Sequence, residues 1–154
     1  MKNTYKLLAL LVVASSFFLT NCKDKDEVTP DTRTKLELIM NGTWKWTEST
    51  CSVPVDLDGK NGSSTDLLSQ QLACITDDTY TFAADSTYTE FANVKCGSEA
   101  KTYKGDWIFT TKDTKFDWDG DIYDLIELSG TKFVLRYTET KGSSTYTITD
   151  TYSH

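Results

Sequence analysis

Histidine is all but absent. The one copy in 154 residues is His154. Without another imidazole there is no placed ring for a Ser-His-Asp triad, a Cys-His dyad or a His-ligated zinc. Basic residues are outnumbered as well: 16 Lys and Arg face 23 Asp and Glu, for a formal charge of −7. That balance argues against nucleic acid as a partner, which recruits clustered Lys and Arg. Long apolar runs are also missing. The stretch from Leu7 to Leu19 falls short of the ~20 residues that span a bilayer as a permanent helix. What remains is an acidic chain long enough for one domain with an ordinary core. No catalytic residue, cofactor or metal is expected.

The short apolar run has a different use. Lys2 and Lys6 precede it, and Leu19-Thr20-Asn21-Cys22 ends it, the order of a secretion signal. The terminal segment resembles the lipobox of bacterial lipoproteins, with Asn21 departing from the usual small residue. The resemblance implies removal of residues 1–21 and acylation of Cys22, so that a lipid on Cys22 holds the chain to a membrane. Removal takes away two lysines and no acids, which moves the formal charge from −7 to −9. Residues 22–33 then read as a linker. Within it Lys23-Asp24-Lys25-Asp26-Glu27 resembles the acidic export signal of Bacteroidetes lipoproteins sent to the outer face of the outer membrane. A charge-rich segment of this kind is also a solvated tether, because it cannot bury enough apolar surface to fold. The expected location is the outer membrane, with exposure at the cell surface.

Residues 34–154 carry the folded domain. Thr34-Lys35-Leu36-Glu37 has the spacing of a capping box, Leu36, Ile39 and Met40 form an apolar stripe, and Gly42 follows at a helix C-cap. From Trp44 onward the pattern has period two, with threonine and aromatic residues alternating. Strands are expected at 43–49, 78–84, 87–94, 102–111, 114–118, 121–128, 132–139 and 144–152. The joints between them are short, as at Asp119-Gly120 and Ser129-Gly130. Residues 51–77 are the exception, a long excursion with a helical turn expected at Asp66–Ala73. The predicted class is all-β: an eight-stranded antiparallel up-and-down barrel with a short N-terminal helix. Closure would remove exposed strand edges; a sandwich is the competing arrangement.

A short helix leading into Gly42-Thr43-Trp44 and a run of antiparallel strands resembles the lipocalin pattern. With the lipobox and the segment Cys74–Cys96, the chain is similar to the small lipocalin-like lipoproteins of Bacteroidetes. The resemblance implies that the tryptophan of the Gly-x-Trp motif closes one end of the barrel. It also implies a basic residue from a late strand against that tryptophan. Arg136 is the candidate partner of Trp44 through a cation–π contact, unless it alternates outward between Leu135 and Tyr137. The implied function is non-covalent binding of a small hydrophobic or amphipathic molecule. Trp44, Trp46, Phe82, Tyr88, Trp107, Phe109 and Tyr137 are the candidates to line the interior. The alternative is a filled barrel that serves as a cell-surface module for protein or glycan, for which Trp118 and Tyr123 would form an exposed patch.

The cysteines follow from register. If residues 84–86 form the hairpin loop, residues 83 and 87 pair, and every later pair keeps the same sum. Phe82 with Tyr88 obeys it, and so does Cys74 with Cys96. A disulfide between these two is expected in an oxidising compartment, worth on the order of 3 kcal/mol. Cys51 is left over as a buried thiol, an alternative partner or an intermolecular link. Asp56, Asp58, Asn61 and Asp66 suggest a calcium loop. Counted from Asp56, however, Lys60 and Leu67 occupy positions where carboxylates belong. Asp117, Asp119, Asp121 and Asp124 surround Trp118 and Tyr123 as glycosidase carboxylates would, and equally as turn residues capping N–H groups would. Glu90 and Glu127 sit within strands, where alternation leaves their facing open between water and the interior.

Overall fold

The capping box forms as expected. Thr34 accepts from the Glu37 amide at 3.2 Å, and the Glu37 carboxylate accepts from the Thr34 amide at 2.7 Å. They start a helix, α1 (Lys35–Ile39), in a computed structural model that describes residues 31–57, 59, 62–98 and 101–154. The expected signal segment, Cys22 and the linker as far as residue 30 lie outside the described residues. Residues 31–154 form a compact unit of their own. The helix ends on Met40, so Gly42 stands two residues beyond the cap residue rather than at it. Its φ of +115°, and a His154 ring nitrogen 2.5 Å from where a Cβ would sit, both require glycine there.

The strands are β1 (Trp44–Val55), β2 (Ser64–Asp66), β3 (Thr79–Phe82), β4 (Thr87–Phe91), β5 (Thr102–Thr110), β6 (Lys115–Trp118), β7 (Asp121–Leu128), β8 (Lys132–Lys141) and β9 (Ser144–Ser153). From β3 to β9 each pairs antiparallel with the next, and β9 pairs back onto β1 from Lys45↔Ser153 to Cys51↔Ile148. Eight strands therefore close an up-and-down barrel, and the sandwich arrangement is overturned. β1 runs past residue 49 to Val55. β3 pairs with it only at Trp44 and Lys45, and β2 covers the edge beyond at Thr50↔Asp66 and Val55↔Ser64. Without β2 a row of backbone donors and acceptors would lack partners. The expected helical turn at Asp66–Ala73 resolves into a 3₁₀ turn at Leu68–Gln70 and α2 (Ala73–Thr76).

Aromatic rings fill the α1 end of the barrel. Ile39, Trp44, Phe116 and Phe133 are fully buried, with Phe82 and Trp107 among them. Phe116 meets Phe133 edge-on at 5.0 Å, and Phe82 meets Trp107 at 5.4 Å, the geometry that ring quadrupoles favour. The Trp44 indole N–H donates to the Ile39 carbonyl at 2.8 Å, tying strand to helix. The rings against Trp44 are Phe133 at 5.7 Å and His154 at 4.4 Å. Arg136 is not its partner. Phe133, Leu135 and Tyr137 take the inward face of β8, so alternation turns Arg136 outward to Asp124, 3.8 Å away. At the same end, Thr111, Lys112 and Asp113 turn from β5 to β6 with φ of +52°, +55° and +62°, and Lys35 Nζ donates to the Asp113 carbonyl at 2.5 Å.

Truncating Phe116 to alanine should cost ~3–5 kcal/mol by urea denaturation, because it empties the centre of the ring cluster. Thr34→Ala, which removes the helix cap alone, should cost ~1 kcal/mol in the same assay.

Candidate functional site

Strand register decides which side chains share the barrel interior. Tyr80 lies opposite Glu90, and Glu90 opposite Tyr103; one rung on, Phe82, Tyr88 and Gly105 follow in the same order. Since Phe82 and Tyr88 are buried in the core, Glu90 shares their inward face. Glu127 does not; it pairs with Lys132 at 3.1 Å on the outside.

Away from α1, these rungs open into a cleft of about 620 Å³. Tyr80, Tyr88 and Tyr103 supply its rings and Asp78, Glu90 and Asp119 its carboxylates, while Lys95 and the Cys74–Cys96 disulfide border it. The disulfide joins Cα atoms 5.4 Å apart. The hairpin keeps the predicted register, although Cys74 arrives on α2 rather than on an extension of β3. Tyr88 Oη donates to Asp119 at 2.5 Å, and the Asp106 amide donates to the other oxygen at 2.9 Å. This pair exists because residue 105 is glycine: a Cβ there would fall 2.6 Å from the Tyr88 ring and onto the Asp119 carboxyl. The Gly105-Asp106-Trp107 echo of the Gly-x-Trp motif thus has a local reason. Burial, and then Asp119, push the Tyr88 hydroxyl up from its ordinary range. Burial followed by the charges of Glu90, Asp78 and Asp150 does the same to Tyr80.

Behind Tyr80 lies a carboxylate with no signal in the charge pattern. Asp150, 6% exposed, stands opposite Ser49 across the β1–β9 seam and accepts from its hydroxyl at 2.5 Å. Burial raises its pKa, and the hydrogen bond from Ser49, with the polar groups of Trp46 and Tyr137 nearby, opposes the rise. Tyr123 shares this layer 5.2 Å from Tyr137, and burial together with Asp121 and Asp150 pushes its hydroxyl up to about 12. Asp150 continues the stripe Tyr146, Ile148, Tyr152 at period two, a signal by which the sequence could have revealed it.

The candidate lining residues separate into groups. Trp44, Phe82 and Trp107 are core, and Phe109 packs half-buried against them. Tyr88 belongs both to the core and to the cleft. Tyr137 and Trp46 stand at Asp150, and Trp46 also borders a groove beside Thr50 and Leu68. Trp118 and Tyr123 face inward, so they form no exposed aromatic patch; Trp118 lies 5.1 Å from Tyr80 and 5.3 Å from Tyr88. Cys51 is an unpaired thiol buried with Leu67, Tyr146 and Ile148.

The acidic turn does not converge on a bond to be broken. Asp117 caps the Gly120 amide at 2.9 Å, Asp119 holds Tyr88, and Asp124 pairs with Lys115 and Arg136. Of the calcium loop, Asp56 accepts from the Gly59 amide and Asp66 from that of Ser69. Asp58, Lys60 and Asn61 lie outside the described residues. Among the described residues no cluster of three or more His, Cys, Asp or Glu side chains could hold a metal.

Residues 40–135 match the family model of the lipocalin-like domain. No curated protein matches the chain.

The buried Asp150 generates a pH prediction. Its folded-state pKa lies above the unfolded value, so the folded state holds the proton more tightly and stability falls as pH rises from ~4 through the folded pKa. Asp150→Asn, a mimic of the protonated form, should be more stable than the native chain at pH 7. Urea denaturation should show that advantage shrinking towards pH 4.

Proposed function

The chain belongs to the lipocalin-like domain family, and from that premise we propose that it binds a small amphipathic molecule non-covalently in the tyrosine-walled cleft. A lipocalin-like barrel is a small-molecule binder in general terms; the site and the ligand's character are what the geometry adds. The observation that carries the reading is the contrast between the two ends of the interior. At the α1 end Ile39, Trp44, Phe116 and Phe133 leave no exposed surface. At the other, Tyr80, Tyr88 and Tyr103 stand beside carboxylates around a cleft of about 620 Å³, a volume in the usual range for small-molecule sites. Apolar rings with a few polar groups suit a ligand that has both characters. In this reading the ligand-binding role stays with Tyr88 and passes from Trp44, Phe82 and Trp107 to Tyr80 and Tyr103. The surface-module reading loses its support with the inward turn of Trp118 and Tyr123.

The protein performs this task, in the same reading, as a lipoprotein of the outer membrane that faces outward. Lys2, Lys6, the Leu7–Leu19 run and Cys22 support an acylated N-terminus, and Lys23 to Glu27 support export to the surface in the Bacteroidetes manner. The oxidised Cys74–Cys96 pair suits a compartment outside the cytoplasm.

Two measurements test this. Native mass spectrometry of a soluble chain beginning at residue 23, purified without detergent and exposed to a lipid and metabolite extract, should show a reproducible added mass that is lost on denaturation. A bare mass would favour the filled barrel. In cells, Cys22→Ser should abolish incorporation of a fatty-acid probe and shift the protein from the membrane to the soluble fraction. Unchanged fractionation would mean ordinary secretion or another anchor.

A further inference from the structure

We propose that the cleft selects an organic cation, an amine or quaternary ammonium carried on an apolar body. The inference rests on the cleft being the binding site and adds the ligand's charge.

Two features of the lining point the same way. The first is its rings. Tyr103 is 53% exposed, with its ring centre 6.1 Å from that of Tyr88, and Tyr80 forms the wall across the Glu90 rung. The negative face of an aromatic ring attracts a cation, more strongly where water is partly excluded. The Tyr88 ring, buried against Phe82 and Trp118, backs this wall, and its hydroxyl donates to Asp119. The second feature is the field. Asp78, Glu90 and Asp119 line the cleft, and among the described residues that line it Lys95 is the one cation. Asp150, behind Tyr80, adds charge of the same sign, felt at the Tyr80 hydroxyl. Lys115, Lys132 and Arg136 face the outside of the barrel and pair there with Asp124 and Glu127. The lining is thus negative overall, and low-dielectric walls focus such a field on whatever enters. A carboxylate ligand would meet like charge, and a neutral one would gain nothing from it.

The test uses three probes of one shape: 2-phenylethylammonium, 2-phenylethanol and phenylacetate, titrated calorimetrically into the soluble chain. The ammonium should bind at least about tenfold more tightly than the alcohol, with phenylacetate weakest, and added salt should weaken the ammonium alone. Glu90→Gln, which keeps the volume and removes the charge, should reduce that preference to less than about threefold. Tyr103→Ala should weaken ammonium and alcohol together. Equal binding of ammonium and alcohol, both weakened by Tyr103→Ala, would overturn the charge assignment and leave the cleft as the site. Equal binding that neither substitution alters would place the probes elsewhere and overturn both. No heat from any probe at millimolar concentration would also overturn the cation assignment, and the mass-spectrometric result would then decide the cleft.

Discussion

The hydrogen-bonded seam between β1 and β9 converts a meander of strands into a tube, and the interior chemistry depends on where that seam falls in register. Trp46 meets Tyr152 and Ser49 meets Asp150 across it. Between those rungs β1 carries a bulge, one extra residue that changes which side chains face in. With strict alternation Glu48 would share the inward face of Trp46. The bulge leaves Glu48 exposed and brings in Ser49, which is 1% exposed and short enough to donate to Asp150. One irregularity at the closing ladder therefore keeps a further carboxylate, Glu48, out of the barrel and supplies a hydrogen bond to Asp150.

Seen along its axis, the interior grades from apolar to polar. Phenylalanine and tryptophan pack solidly behind α1, a middle layer gathers Asp150, Ser49, Tyr123 and Tyr137, and the cleft lies beyond. Leu67, from the excursion after β1, joins Cys51, Tyr146 and Ile148 to close the neighbouring part of the far end. The position of the cleft on the β3–β5 side thus reflects which loops fold inward: the segment that pairs with β1 fills one side, and the disulfide-bordered hairpin leaves the other open.

Much of this was legible in the residues. Period-two alternation marks the eight barrel strands, though not β2, and the constant sum of paired positions in the β3–β4 hairpin identifies the disulfide. What escaped were the features that alternation cannot orient. It divides a strand into two faces without saying which is inner, so Glu90 and Glu127 looked alike, and only cross-strand partners separated them. The pairing of Trp44 with a late arginine came from resemblance rather than from spacing; in this chain the alternation of β8 turns Arg136 away and the His154 ring takes the place. Asp78, beside Asp77 in a connection, carries no periodic signal, whereas Asp150 is marked only by its place in the stripe of Tyr146, Ile148 and Tyr152.

The left-handed turn at residues 111–113 lies at the opposite end of β5 from Tyr103, ~25 Å away along the strand. Each non-glycine residue held in that conformation costs roughly 1–2 kcal/mol, and the turn touches α1 through Lys35, not the cleft. The chain therefore keeps a store of correctable instability far from the cleft. Relief of that turn by glycine or asparagine would supply stability that offsets destabilising substitutions around the cleft. The tolerance of this barrel to change at one end is thus set in part by a loop at the other.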